Sequence, residues 1–217
     1  MSKPEVNEII NQIVELYQNC STYADSGAVS CEVGKLQFKT YFCRPDQYQF
    51  EWTSAVAGVT RKGCIYTLNG TKVLSIHNEE KEEEISLALA IAGATGVSFG
   101  VAPIAAHLLM PNLFQPGQYQ SFIMQGSYEI LEENNSIIKL HTNWRANCSI
   151  TIEIDKFTMA LREIEEVYTP TLKEKQRVVE DLEASKAPEA EAVRELLYVE
   201  DNYTPTVISY KHVEFDL

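Results

Sequence analysis

Leu36-Gln37-Phe38-Lys39-Thr40-Tyr41-Phe42-Cys43-Arg44-Pro45-Asp46-Gln47-Tyr48-Gln49-Phe50-Glu51-Trp52 places all but one of its aromatic side chains, Tyr41, at even positions on either side of an Arg-Pro-Asp turn signal. Leu36, Phe38, Thr40 and Phe42 share one face; beyond the turn Tyr48, Phe50 and Trp52 share one, and Gln47, Gln49 and Glu51 take the other. A period of two with one wet side describes an antiparallel hairpin lying on a core. Its aromatic side needs an apolar cover, so the rest of the chain divides into more sheet and what lies on it.

Toward the N-terminus, Val6, Ile9, Ile13, Leu16 and Tyr17 fall at helical spacing over residues 5–19, with Ser2 as a cap before Pro4. A turn is expected at Asp25-Ser26-Gly27. Downstream, Cys64–Leu68 and Lys72–Ile76 flank Asn69-Gly70, whose ready adoption of positive φ predicts a second hairpin. The acidic run Glu79–Glu84 reads as a lead into helices at 85–92 and 103–110, separated by glycines. Strands are expected at 121–131, 136–144, 148–154 and 157–168, giving a sheet of about seven to nine strands. Between Pro170 and Pro205, Leu172, Val178, Val179 and Leu182 form one helical stripe, and Val193, Leu196 and Leu197 another after Pro188. A helical hairpin inserted over 171–202 follows. Tyr-Thr-Pro-Thr bounds it on both sides (168–171 and 203–206), as if two neighbouring strands left and re-entered the sheet there. The last strand, Thr206–Phe215, is expected to pair with 157–168 at a sheet edge. A single α+β domain over 1–217, a curved antiparallel sheet with a helix packed on it, is the simplest architecture.

Composition narrows function. With 217 residues and 45% hydrophobic content the chain can bury one sizeable core, and a net charge of −13 repels nucleic acid and anionic lipid alike. From Ile85 to Phe114 there is no Asp, Glu, Lys or Arg, yet Gly93, Gly96, Gly100, Pro103 and Pro111 interrupt the stretch and no basic cluster flanks it, which argues against a membrane span. The N-terminus lacks the apolar core and cleavage site of a secretory signal. The compartment is therefore cytoplasmic, or periplasmic or extracellular if a signal preceded this numbering. The five cysteines make no C-x-x-C pair; reduced thiols or a Cys43–Cys64 disulfide both remain open, and a metal site has no support. His77, His107, His141 and His212 stand alone in sequence, with neither H-E-x-x-H nor G-x-S-x-G, and the glycines of 93–100 spell no phosphate-binding pattern. The carboxylates of 79–84 and 174–201 read as solvated faces and not as an acid/base pair. No enzyme and no cofactor is expected.

The long uncharged segment has two readings: ordinary core, or a movable lid over the aromatic face with an apolar pocket beneath. Lys39–Trp52, with its Arg-Pro, aromatic, then Phe-x-Trp core, resembles the strand-turn-strand of the LolA/LolB-type lipoprotein carriers and their uncharacterised secreted relatives. The order of N-terminal helix, hairpin, short helices and a second run of strands ending in Tyr210-Lys211-His212-Val213-Glu214-Phe215 is similar as well, and Ser86–Val97 looks like the corresponding stretch of those relatives. Residues 171–202 have no counterpart in the resemblance.

The resemblance implies a curved, unclosed antiparallel β-barrel holding a lipid or other apolar ligand, lipoprotein acyl chains among them, under lid helices, without catalysis or cofactor. It implies a concave wall of Phe38, Tyr48, Phe50, Trp52 and Ile76, a lid of Leu87, Leu89, Ile91, Leu108 and Leu109, and Arg44 as the latch that bonds lid backbone. Arg44 as a mere turn residue is the plainer alternative. The alternative function is a structural or protein-interaction module with a filled cavity, docking a protein partner through 171–202.

Overall fold

The computed structural model describes residues 6–68, 72–78, 80–84, 86–114, 122–169, 171–184 and 204–217. After helix α1 (Val6–Asn19), strands β1 (Thr22–Cys31), β2 (Gly34–Cys43), β3 (Gln47–Val56), β4 (Val59–Leu68), β5 (Lys72–His77) and β6 (Glu80–Glu84) meander outward. Helices α2 (Leu87–Val97), α3 (Ala102–Leu109) and α4 (Phe122–Gln125) follow. Strands β7 (Glu129–Glu133), β8 (Ile137–Arg145), β9 (Cys148–Asp155) and β10 (Leu161–Tyr168) come next, then helix α5 (Leu172–Ala184) and strand β11 (Thr206–Asp216). All eleven strands form one antiparallel sheet in the order β6-β5-β4-β3-β2-β1-β11-β10-β9-β8-β7. The chain thus starts at the centre of the sheet, walks to one edge, crosses by its helices to the other edge, and walks back. Edges β6 and β7 are not joined, so the sheet stays open.

Several expectations change. The sheet has eleven strands, more than the seven to nine expected. β11 is no edge: it pairs with β10 on one side and with β1 on the other, from Thr22↔Asp216 to Ser30↔Val207, and so joins the two halves. The Tyr-Thr-Pro-Thr reading holds in that β10 and β11 are neighbours, with Glu166 opposite Thr206. Asp25-Ser26-Gly27 is no turn but lies inside β1, where a bulge shifts the register between Ser26 and Gly27. The polar triplet misled because Asp25 is buried and satisfied locally: it accepts from the Tyr23 hydroxyl (2.5 Å) and the Thr40 amide (2.9 Å). The real turn follows Cys31, where Cys31 pairs with Gly34.

The acidic run becomes strand β6, paired with β5 from Val73↔Glu84 to His77↔Glu80. Charged side chains on an edge strand discourage pairing with other chains. α2 begins at Ser86, whose hydroxyl accepts from the Leu89 amide at 3.3 Å, and runs on through Gly93 and Gly96. Each helical glycine costs about 1 kcal/mol against alanine. Burial of Leu87, Ala90, Ile91 and Ala94 at helical spacing offsets that cost. Residues 122–125 are helix, and the strand expected over 121–131 starts only at Glu129; the last of that group starts at Leu161, since 156–158 form a turn. Of the inserted hairpin, α5 is present with Val179 buried; Pro188, Val193, Leu196 and Leu197 lie outside the described residues, as does the Asn69-Gly70 turn. The strands flanking that turn do pair, Leu68 opposite Lys72. All five cysteines are free thiols, and β3 separates Cys43 on β2 from Cys64 on β4.

The register sets two close fits. Gly63 sits opposite Trp52, and a Cβ on it would stand 1.9 Å from the Trp52 ring, so the indole lies over the glycine. Gly27 does the same for Phe38, whose ring would come within 2.5 Å of an added Cβ. Gly63→Ala is expected to cost about 1–3 kcal/mol by overpacking a buried ring. Urea unfolding checks this; an unchanged midpoint would show that Trp52 does not occupy this position.

Candidate functional site

The alternating pattern of β1–β4 turns Tyr23, Phe38, Phe42, Tyr48, Phe50 and Trp52 to the concave face, where all are buried. Phe50 and Trp52 stack at 5.5 Å between centroids, and Phe38 lies 6.4 Å from Phe50. Across the β1–β11 seam the same face becomes aliphatic, with Leu140, Ile150, Ile152, Ile154, Ile164 and Ile208 buried. One half of the sheet is therefore aromatic and the other mostly isoleucine. α1 contributes Ile9, Ile13 and Tyr17, α2 contributes Leu87 and Ile91, and seven of the eight residues of α3 are buried. Sheet and helices share one contiguous apolar cluster.

Phe38, Tyr48, Phe50, Trp52, Leu87, Ile91, Leu108 and Leu109 are brought together on the two sides of this interior. Two expected members are not. Ile76 lies opposite Cys64 and Lys81, one register step from the inward Ser75, and so faces outward; its place on the wall is taken by Val73 and Ser75. Leu89 is 53% exposed, because two residues from Leu87 is more than half a turn around α2. Ile65, Phe42, Tyr17 and Asp25 belong to the interior as well. Ile65 and Phe42 were legible from strand alternation; Asp25 was hidden by its resemblance to a turn residue.

Arg44, in the turn between β2 and β3, gathers two helix ends. Its Nε donates to the Cys20 carbonyl (2.8 Å), and its Nη2 to the carbonyls of Tyr17 (3.4 Å), Gln18 and Leu109 (3.2 Å). Tyr17 and Gln18 lie in the last turn of α1 and Leu109 ends α3. The last carbonyls of a helix have no partner within it and carry the negative end of its dipole, so one guanidinium with five donors suits two such ends. Its carbon also sits 5.1 Å over the Phe42 ring. Its partners lie 24 to 65 residues away, so the resemblance carried by the Arg-Pro stretch, and no local periodicity, marks Arg44 as more than a turn residue.

Beneath α1 and α3 lies a buried polar belt. Asp25 is 4% exposed, and burial pushes its carboxyl up to about 6, partly opposed by the bonds from Tyr23 and Thr40. Around it stand Tyr17, which accepts from the Leu161 amide (3.4 Å), and Tyr48, which donates to the Ala102 carbonyl at the start of α3 (3.4 Å). The buried hydroxyl of Tyr210 has no hydrogen-bond partner among the described residues. Burial holds all these phenols far above their ordinary range, so they stay neutral. His107 on α3 packs edge-on against Phe114 (4.1 Å), and burial lowers its pKa, which favours the neutral ring. Among the described residues no three His, Cys, Asp or Glu side chains gather to hold a metal, and no helix is long and apolar enough to cross a membrane.

Among the described residues, clefts also open away from this interior. One of about 330 Å³ lies on the outer sheet face among Gln37, Lys39, Glu51, Thr53, Lys62 and Cys64. Another of about 510 Å³ lies where β7 begins, among 125–129 and 141–144.

No family model matches the chain, and no curated protein does. Among solved structures, a chain of the Pseudomonas aeruginosa MucA/MucB complex matches at 8% identity and TM-score 0.38, over 98% of this chain and 57% of that one. MucB alone matches at 8% identity and TM-score 0.39, over 98% and 59%. A Vibrio parahaemolyticus domain of the outer membrane lipoprotein-sorting kind matches at 8% identity and TM-score 0.32, over 95% and 90%. The chain spans less than two thirds of the MucB chains it matches.

Arg44→Leu is expected to destabilise the fold by about 1–3 kcal/mol, the range for losing charge-assisted bonds at a partly wet site. Amide exchange should quicken at the ends of α1 and α3 more than in the strands; uniform or absent change would mean that Arg44 holds neither end. For Asp25 the sign follows from its raised pKa. The folded state binds the proton more tightly than the unfolded chain, so the stability this gives is full below the ordinary aspartate value and is lost as pH rises through about 6. Asp25→Asn should therefore gain on the wild type by about 2 kcal/mol as pH rises from roughly 4 to 7. Urea titrations across that range read it, and a pH-independent difference would contradict a buried carboxyl.

Proposed function

We propose that this protein binds a lipid or another apolar ligand, acyl chains of lipoproteins included, between the concave sheet face and the lid formed by α2 and α3, and performs no catalysis. The observation that carries the reading is the Arg44 guanidinium bonded at once to the end of α1 and to the Leu109 carbonyl of the lid. That contact can be broken without cutting any strand ladder, so a lid can lift while the sheet persists. The ligand side consists of Phe38, Tyr48, Phe50 and Trp52 on the wall and Leu87, Ile91, Leu108 and Leu109 above it. With Arg44 bonded, the lid closes over them and water is excluded; entry of an acyl chain requires the latch to open. A carrier of this kind would work in the periplasm or outside the cell if a signal precedes this sequence, and in the cytoplasm otherwise.

A second reading has its own observation. Phe38, Phe50, Trp52, Leu108 and Leu109 are already buried together in one cluster, as in a core filled by its own side chains. On that reading the protein is an interaction module that docks a partner through 171–202, of which α5 is the described part.

Native mass spectrometry with organic extraction of the purified protein separates the two. The binding reading expects co-purifying lipid whose occupancy shifts severalfold in Arg44→Leu and survives deletion of 171–202. A protein that arrives empty and ignores added fatty acids and phospholipids would overturn it.

A further inference from the structure

Within the polar belt the Tyr210 hydroxyl is wholly buried and has no hydrogen-bond partner among the described residues. Its neighbours are engaged: Tyr23 donates to the Asp25 carboxylate (2.5 Å), Tyr17 accepts from the Leu161 amide (3.4 Å), and Tyr48 donates to the Ala102 carbonyl (3.4 Å). A buried hydroxyl without an acceptor forfeits the bond it would make in water, so its position calls for an acceptor that arrives from outside the chain. Tyr210 stands opposite Gly27, on the side of β1 that carries Tyr23 and Asp25. Its ring meets Phe38 edge-on at 5.6 Å, Phe38 lies 6.4 Å from Phe50, and Phe50 stacks on Trp52 at 5.5 Å. A continuous aromatic strip therefore leads away from the belt.

Lifting the lid frees a second hydroxyl at the same end. Ala102 is the first residue of α3, so Tyr48 loses its acceptor when α3 rises. Tyr48, Tyr210 and Asp25 lie within electrostatic reach of one another. The open form thus presents hydroxyl donors at the head of an apolar strip.

We infer that Tyr48 and Tyr210 form the polar end of the ligand site and donate to the carbonyl oxygen of an esterified or amidated acyl chain, whose tail lies along Phe38, Phe50 and Trp52. This inference rests on the apolar-ligand reading above and names the ligand's head. A carbonyl oxygen has two lone pairs, so it replaces the Ala102 carbonyl for Tyr48 and satisfies Tyr210 as well. A free fatty acid is disfavoured at the same place. Asp25 titrates at about 6 and is largely ionised at neutral pH, and like charges sharing a buried site oppose each other's ionisation. An alkane brings no acceptor and leaves both hydroxyls unpaired.

The test uses the whole chain at neutral pH, with N-phenylnaphthylamine as a fluorescent apolar probe displaced by methyl laurate, lauric acid or dodecane. Tyr210→Phe should weaken methyl laurate about fivefold and leave dodecane unchanged, a split that a purely structural role for the hydroxyl does not produce. Asp25→Asn should strengthen lauric acid about tenfold relative to methyl laurate. On the unsubstituted protein, the infrared carbonyl stretch of bound methyl laurate should fall below that of the ester in hydrocarbon, which decides the matter even if a variant does not fold. A stretch equal to that in hydrocarbon, equal losses for ester and alkane in Tyr210→Phe, no loss for either, or lauric acid bound as tightly as its ester would each overturn this inference and leave apolar-ligand binding standing. Failure of the probe and of all three ligands to bind would overturn both.

Discussion

The chain leaves the sheet at one edge, β6, and re-enters it at the other, β7, and this single connection governs the molecule. Its helices α2 and α3 pack on the buried face of the sheet, with Leu87, Ile91 and seven residues of α3 buried there. A charge there would be buried without a partner, at a cost of several kcal/mol. The absence of Asp, Glu, Lys and Arg from Ser86 to Phe114 answers that constraint. α3, at the middle of the crossing, is buried almost all round, whereas α2 keeps Leu89, Gly93 and Gly96 on its outer side.

Crossing the sheet also forces helix ends into the interior's rim, where their last carbonyls need donors. Arg44 meets this for α1 and α3 together, and Ser86 and the Phe99-Gly100 turn, with φ of 51° and 81°, handle the two ends of α2. The polar belt around Asp25 is the counterpart on the sheet side. Its hydroxyls and carboxyl satisfy one another and the start of α3, except for Tyr210. Arg44 and the belt around Asp25 thus both tie helices to the sheet around one apolar interior.

The periodicities determined much by themselves. The period of two over Leu36–Trp52 placed five aromatic side chains on one face, the 3.6-residue spacing of Ile9, Ile13 and Tyr17 determined α1, and the lack of charge marked the covering segment. These are local patterns in which each residue's environment follows from its neighbours. Strand number, the central place of β11, the inner face of Asp25, the outer face of Ile76 and the partners of Arg44 were decided only by tertiary structure. Each depends on which strand lies alongside which, and so on register between segments far apart in the chain. A one-residue step in that register turns a side chain from core to solvent, and no local pattern around Ile76 or Arg44 records it.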